Sequence, residues 1–175
     1  MTQVTIIAQN YMARLLVQKA NSIYVGLGKS SAWSDENTPP AESNTAVALD
    51  EPILYKKVTT AELCRLTNVG ETGGVIVGTD SYVVATTADM NNPDYRYLYC
   101  EVNISGADAG AISYREIGLF SDLTPNSGVT KTTLLPADVS STGTLLTISN
   151  YKVQNITDTG SVTVGIIYSF KPIVS

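Results

Sequence analysis

Hydrophobic and polar positions alternate along most of the chain, and only the opening stretch departs from that rhythm. There Ile7, Tyr11 and Leu15 recur at four-residue spacing, and Ala8, Met12 and Leu16 widen the stripe. This is the period of an α-helix with one apolar face, and Thr5 can cap its start. Gln9, Asn10, Arg14 and Lys19 fall mostly elsewhere. The pattern predicts a helix within 1–21 whose stripe packs on the core, with a groove on a partner as the sharper alternative. At Ser22 the period changes. Ile23, Val25 and Leu27 alternate with Ser22, Tyr24 and Gly26, which is a strand pattern. The polar stretch Ser34–Thr45 holds Pro39 and Pro40, which cannot donate to a sheet ladder, so it predicts a loop. Segment 22–50 therefore reads as a strand followed by a loop that carries Trp33 and the proline pair.

Beyond Asp50 the pattern is β almost to the end. Ile53–Thr67 is long enough for one strand or two, and Gly73–Thr87 predicts two short strands around a Gly78–Ser81 turn. Tyr95–Ser105 alternates most cleanly. Arg96, Leu98, Cys100, Val102 and Ile104 take one face, and Tyr95, Tyr97, Tyr99, Glu101 and Asn103 the other. The tyrosine face predicts cross-strand packing, with a subunit interface or a sugar platform as alternatives. Ser105–Ala111 reads as a loop of small residues. In Ile112–Ser121, Ile112, Tyr114, Glu116, Gly118 and Phe120 share one face, and Ser113, Arg115, Ile117 and Leu119 the other. Strand neighbours point apart, so Arg115 and Glu116 each need a separate partner unless a bulge at Gly118 realigns them. Arg115 is expected to anchor a loop or a chain end by bidentate hydrogen bonds. Glu116 is expected to accept from backbone donors or to meet a Lys or Arg near the sheet edge. Thr124–Gly128 has turn chemistry, and Thr144–Val153 and Ser161–Phe170 read as strands. The fold class is mainly β: an antiparallel β-sandwich or open barrel with an N-terminal α-helix. It forms a single domain over 1–175, with 51–175 as its β core.

Composition narrows the function. Charged residues make up 15% of the chain, well below the usual ~25%, so its polar surface comes largely from Ser, Thr and Asn. Such groups cost less to desolvate than ions, which suits contact with other proteins. A net charge of -5 with 11 scattered basic residues argues against nucleic acid as a partner. There is no histidine, which removes the commonest general base and zinc ligand. No Ser-His-Asp or Cys-His pair can therefore form. Cys64 and Cys100 are far apart and make no CxxC, so they are expected to be buried free thiols. Asn68–Thr79 is glycine-rich but lacks the Gly-Lys-Ser/Thr ending and the following helix of a phosphate loop. Asp35, Glu36 and Glu42 lack the spacing of a calcium loop and read as solvated. No short motif marks a carboxylate pair for glycoside hydrolysis. The reading is a protein that is not an enzyme and uses no cofactor or metal. No apolar run reaches the length of a membrane span, and the first residues lack the basic leader of a signal peptide. A soluble protein made in a cytoplasm is expected.

Three stretches then stand in a telling order: "YVGLGKSSAWSDENTPPAE", "YREIGLFSD" and "LLTISNYKVQNITDTGSVTVGIIYSF". In this order they resemble the baseplate wedge protein family of contractile-tailed (T-even-type) bacteriophages, as a short single-domain relative. Tyr24, Gly26, Gly28, Trp33, Pro39 and Pro40 match the family's first element. Tyr114, Arg115, Ile117, Gly118 and Leu119 match the second, and Asn150–Lys152 with Thr157 match the third loosely. The resemblance implies a structural baseplate component, synthesised in the host cytoplasm and located in the virion. It would hold neighbouring tail proteins in register during assembly and contraction. It implies other baseplate or tail proteins as partners and a homo-oligomer, with a dimer favoured, and neither nucleic acid nor membrane. The motif and interface candidates are Tyr24, Gly26, Trp33, Pro39, Pro40, Tyr95, Tyr97, Tyr99, Tyr114, Arg115, Glu116, Ile117 and Gly118. "REIGLF" is also similar to attachment regions of phage tail fibres. A tail-fibre attachment or receptor- and glycan-binding module is thus the alternative, and a cell-wall hydrolase a third.

Overall fold

A computed structural model describes residues 4–170. Thr5 starts the first element as expected: its Oγ1 accepts the Ala8 N–H at 3.2 Å, and helix α1 runs over Ile6–Gln18. The strands follow as β1 (Tyr24–Gly28), β2 (Leu54–Lys57), β3 (Thr60–Leu66), β4 (Val75–Val77), β5 (Asp80–Val84) and β6 (Tyr97–Ser105). A short helix α2 (Gly106–Ala109) precedes β7 (Ile112–Ser121), β8 (Thr124–Pro125), β9 (Thr133–Leu134), β10 (Val139–Ser141), β11 (Thr144–Ile156) and β12 (Ser161–Ser169). The pairings are antiparallel, so the chain is mainly β with an N-terminal helix, as the alternation predicts.

The chain divides into two compact units. One comprises the described parts of Met1–Ala20, Thr60–Glu101 and Gly165–Ser175, and the other comprises Asn21–Thr59 and Val102–Val164. In the first unit, the sheet has the order β12-β6-β3-β5-β4. On one face Ala13 of α1 packs with Leu63 and Tyr95, joined by Val17, Val83, Met90 and Phe170. On the other, Cys64, Tyr82 and Tyr99 pack with Val75, Val77, Tyr97 and Ile167. A Cβ placed on Gly165 of β12 would lie 3.6 Å from Val77 of β4. The two outer strands thus approach each other, and the sheet curls into a nearly closed barrel.

Cys64 and Cys100 are free and buried. Cys100 pairs with Ala61 and Cys64 with Tyr97, so the thiols stand three β3 positions apart and point to opposite faces. Burial pushes both thiols up to about 12. We expect a thiol reagent at about pH 8 to modify neither cysteine in the folded chain and both in denaturant, since only the thiolate reacts. Rapid labelling of either one in the folded chain would contradict the packing.

In the second unit, the main sheet has the order β11-β7-β1-β2-β9, with β8 and β10 as a separate ribbon. Its core is Tyr24, Leu49, Tyr55, Phe120, Leu123 and Leu134, and Tyr55 meets Phe120 edge-on at 5.3 Å between centroids. Gly26 of β1 lies directly opposite Gly118 of β7. A Cβ on Gly26 would come within 2.8 Å of Leu49 Cδ1, and one on Gly118 within 3.0 Å of Leu49 Cδ2. The glycine pair is the floor on which Leu49 and Phe120 lie.

Three expectations change, and one open alternative is decided. The helix stripe of Ile7, Tyr11 and Leu15 faces outward at 70%, 58% and 41% exposure, while Asn10 and Ala13 face inward. The small Ala13 allows close approach to the sheet, and Asn10 is held by backbone acceptors there. Ser105–Ala111 is not all loop, because Asp108 accepts the Ser105 N–H and Oγ–H and caps the turn α2. Tyr95 precedes β6 rather than opening it, since the turn after Pro93 ties Tyr95 N to Asn92 O. Ile53–Thr67 is two strands, which belong to different sheets.

Candidate functional site: a strapped sheet edge

β11 is an outer strand of its sheet, and its pairing with β7 slips at one place. Asn150 faces Glu116 and Gln154 faces Tyr114, so the three residues Tyr151, Lys152 and Val153 stand opposite the single residue Arg115. This bulge interrupts the ladder and leaves backbone groups for other partners. The loop of residues 30–42 supplies them. Trp33 Nε1 donates to Tyr151 O at 2.8 Å, Asn150 Nδ2 donates to Pro40 O at 2.9 Å, and Asn150 N donates to Glu42 Oε1 at 3.2 Å. Side chains thus replace the strand that an outer edge lacks.

Arg115 holds this strap from beneath. Its Nε donates to Glu36 Oε1 at 2.7 Å and its Nη1 to Ser30 O at 2.7 Å, and Trp33 N also donates to Glu36 Oε1 at 2.9 Å. The expected loop anchor is therefore present, as two prongs on two residues rather than a fork on one carboxylate. Burial alone would raise the Glu36 pKa, but the Arg115 guanidinium and the Trp33 N–H outweigh it and hold the carboxyl below its usual range. Lys29 Nζ lies 5.5 Å from the Trp33 ring centre and adds a cation–π contact.

Glu116 points the other way. Its Oε2 accepts the Asp50 N–H at 2.7 Å, and burial raises its pKa. Lys29 and Glu51 adopt left-handed backbone, φ 58° and 46°, which is unfavourable for residues with a Cβ. They persist because each is tied: Lys29 N donates to Asp50 O at 2.7 Å and to Glu51 O at 3.2 Å. The Glu51 carboxylate collects Ser31 Oγ at 2.5 Å, Ser31 N at 2.9 Å, Ser30 Oγ at 2.9 Å and Lys29 Nζ at 3.2 Å. The Ser31 hydroxyl and amide, with Ser30, lower its pKa to about 2. The root of the strap is thereby fastened before Arg115 grips its middle.

Several carboxylates share this behaviour. Arg65 grips Glu71 with both nitrogens, at 2.7 and 2.6 Å, and brings its pKa to about 2. Asp108 is raised by burial but held well below the usual range by Lys56, Thr133 and Ser105. A depressed folded-state pKa contributes stability above the unfolded value, near 4.5 for Glu, and loses it as pH falls through the folded value. Glu116 is raised and has the opposite sign, so its protonation offsets part of the loss. The melting temperature is expected to be flat from about pH 7 to 5 and to fall between about pH 4.5 and 2. Glu51→Gln combined with Glu71→Gln should flatten that fall, and an unaltered slope would reject these assignments.

The predicted residues separate into two groups. Trp33, Pro40 and Arg115 come together in the strap, Glu116 on the opposite side holds the Asp50 N–H, and Tyr24, Gly26 and Gly118 floor the core of the same unit. Pro39 and Ile117 are half-buried and Tyr114 is buried, all in that unit. Tyr95, Tyr97 and Tyr99 belong to the other unit. Tyr95 is buried on the α1 face of the sheet and Tyr99 on the other face beside half-buried Tyr97, so the three do not form the single tyrosine face expected and instead pack the chain's own barrel. Glu36, Glu42 and Leu49 were not singled out as partners. The loop acids read as solvated because nothing local shows that a residue 79 positions away will meet Glu36. The loose match at Asn150 was the one signal for the far side of the strap.

A family model described as "Baseplate wedge 3 tail fiber network component" matches residues 1–170, which include all three motif stretches. The chain is 31% identical over 150 residues to "Virion protein 3" of Enterococcus phage phiEF24C, covering 84% of this chain and 83% of that protein.

Proposed function

The chain belongs to the baseplate wedge 3 tail fiber network component family, and from that premise we propose that it is a structural protein of a phage tail baseplate. In this reading it sits in the virion, is not an enzyme, and holds neighbouring tail proteins in register during assembly and contraction. The convergence of its motif stretches carries the reading. The residues that resemble the wedge family build a fastened junction: Arg115, Glu36, Trp33 and Asn150 are engaged with one another or with backbone. Such a junction keeps a loop in one shape, which is what a contact surface in a large assembly requires. The strap turns Ser34, Asp35, Asn37, Thr38 and Pro40 to the outside. These are mostly small polar residues that a neighbour can cover cheaply. Among the described residues no helix is long and apolar enough to cross a membrane. Self-association, as a dimer, belongs to the same proposal.

The family description names a tail fiber network, and this favours a second reading in which the neighbours include the fibres. Quantitative mass spectrometry of purified particles tests both. A fixed copy number relative to other baseplate proteins is expected, and particles without the chain would sink the proposal. A particle that loses its fibres but keeps its baseplate when the chain is removed would select the fibre-attachment reading.

A further inference from the structure

The contact between the strap and the β11 bulge holds two buried acceptors that no protein donor reaches. Glu36 Oε1 takes both the Arg115 Nε–H and the Trp33 N–H, while its other oxygen, Oε2, meets no donor among the described residues. Although the Glu36 side chain is 34% exposed, Oε2 itself is buried. On the facing wall, Asn150 Nδ2 donates to Pro40 O, and Asn150 Oδ1 is likewise buried and without a donor. Among the described residues these are the two buried side-chain polar atoms left without a hydrogen bond, and both belong to one junction. Folded proteins satisfy nearly all such atoms, because an unmade bond leaves their desolvation uncompensated. The bulge makes room between the walls. Tyr151, Lys152 and Val153 stand opposite Arg115 alone, so β11 bows away from β7 there. The Val153 N–H turns toward the Glu36 carboxylate but closes no hydrogen bond to Oε2.

We propose that one internal water molecule sits in this junction, donates to Glu36 Oε2 and to Asn150 Oδ1, and accepts from the Val153 N–H. The inference goes beyond the proposed function, since it holds whichever proteins surround the chain. Three observations select water. Both walls present acceptors, so the occupant must be a donor, and a water has one O–H for each. With the Val153 N–H it makes three hydrogen bonds, the usual number for a buried water. Both oxygens are closed to solvent, so a neighbour's side chain reaches neither unless the strap opens. Charge then argues against a metal ion. Arg115 already pairs with Glu36 at 2.7 Å, so a cation would sit beside a guanidinium and leave the junction positive. Calcium also takes about six to eight oxygen ligands, and the junction offers two free side-chain oxygens. The water acts as a further fastening of the strap, tying Glu36 of the loop to positions 150 and 153 of the bulge.

An atomic-resolution crystal structure of the full chain tests this. A water within about 3.2 Å of both Glu36 Oε2 and Asn150 Oδ1 is expected. A protein donor on either oxygen, or an ion at about 2.4 Å with further oxygen ligands, would overturn the proposal. In solution, the Val153 N–H should show a magnetic-resonance cross-peak to water with the sign of a long-lived contact. Asn150→Leu removes one of the two acceptors and should abolish that peak, and a peak that persists would count against a shared water. Calcium or sodium, compared with a chelator, should leave the melting temperature unchanged. A rise with either ion that Asn150→Leu abolishes would put a cation in place of the water. Virion membership is read separately from particle composition, so either proposal can fail alone.

Discussion

Arg115→Ala is expected to free the strap and to lower stability by about 2 kcal/mol, the order of the charge-assisted hydrogen bond lost at Ser30 O. The variant removes one of the two donors at Glu36 Oε1, leaving the Trp33 N–H, and it removes the donor to Ser30 O. The Glu36 side chain is 34% exposed, so solvent screens the carboxylate left behind and the lost grip on the loop backbone is the larger effect. Trp33 is the only tryptophan in the chain, and its indole N–H is bonded to Tyr151 O, so its fluorescence reports on the strap directly. Its emission should shift to the red and become easier to quench, while the β-sheet circular dichroism is retained. Arg115→Lys should recover less than half of the loss, since an ammonium is a point donor that cannot reach both partners as a planar fork does. Unchanged Trp33 emission in Arg115→Ala would show that the strap is held by something else.

The second large effect is at the floor of the core. Gly118→Val is expected to cost about 3 kcal/mol or more, at the upper end of overpacking penalties. Even one added carbon would sit 2.9 Å from Leu145 Cδ1 and 3.0 Å from both Leu49 Cδ2 and Phe120 Cε2. These groups belong to the buried cluster or pack against it, so they have little room to yield. Trimming the side chain above should relieve the clash. Leu49→Ala alone removes core contacts, but combined with Gly118→Val it should cost less than the sum of the two by about 1 kcal/mol or more. Strict additivity in denaturant melts would show that Leu49 does not rest on Gly118.

Both effects concern residues that the sequence brought forward, and for different physical reasons. The "REIGLF" stretch was legible as a strand with Arg115 and Glu116 pointing apart, because alternation is a local property. That Arg115 needed a loop partner followed from the same geometry. The identity of the partner did not, because Glu36 meets it across 79 positions. Only a bulge at Gly118 would have realigned Arg115 and Glu116, and the bulge is not there. It lies instead on β11, opposite Arg115, while Gly118 is needed for the close approach of Leu49. The helix was legible from its period and from Thr5, but which side faces the sheet was not. Hydrophobic periodicity finds a stripe, and the stripe was assigned to the core on the assumption that the chain packs alone. Asn10 packs inward because backbone acceptors at Asn92 and Tyr95 satisfy it, and no local pattern announces those acceptors. The short pairs β8, β9 and β10 were missed because two or three residues are too few to establish a period.

Whether this chain is a fixed structural part of a phage tail is tested most directly by an electron-microscopy map of the purified particle. The prediction is that density for the β-rich chain occupies symmetry-related positions in the baseplate, with the strap around Trp33 against a neighbouring protein. Intact, infectious particles whose baseplate density accounts fully for other proteins and leaves no place for this chain would contradict it.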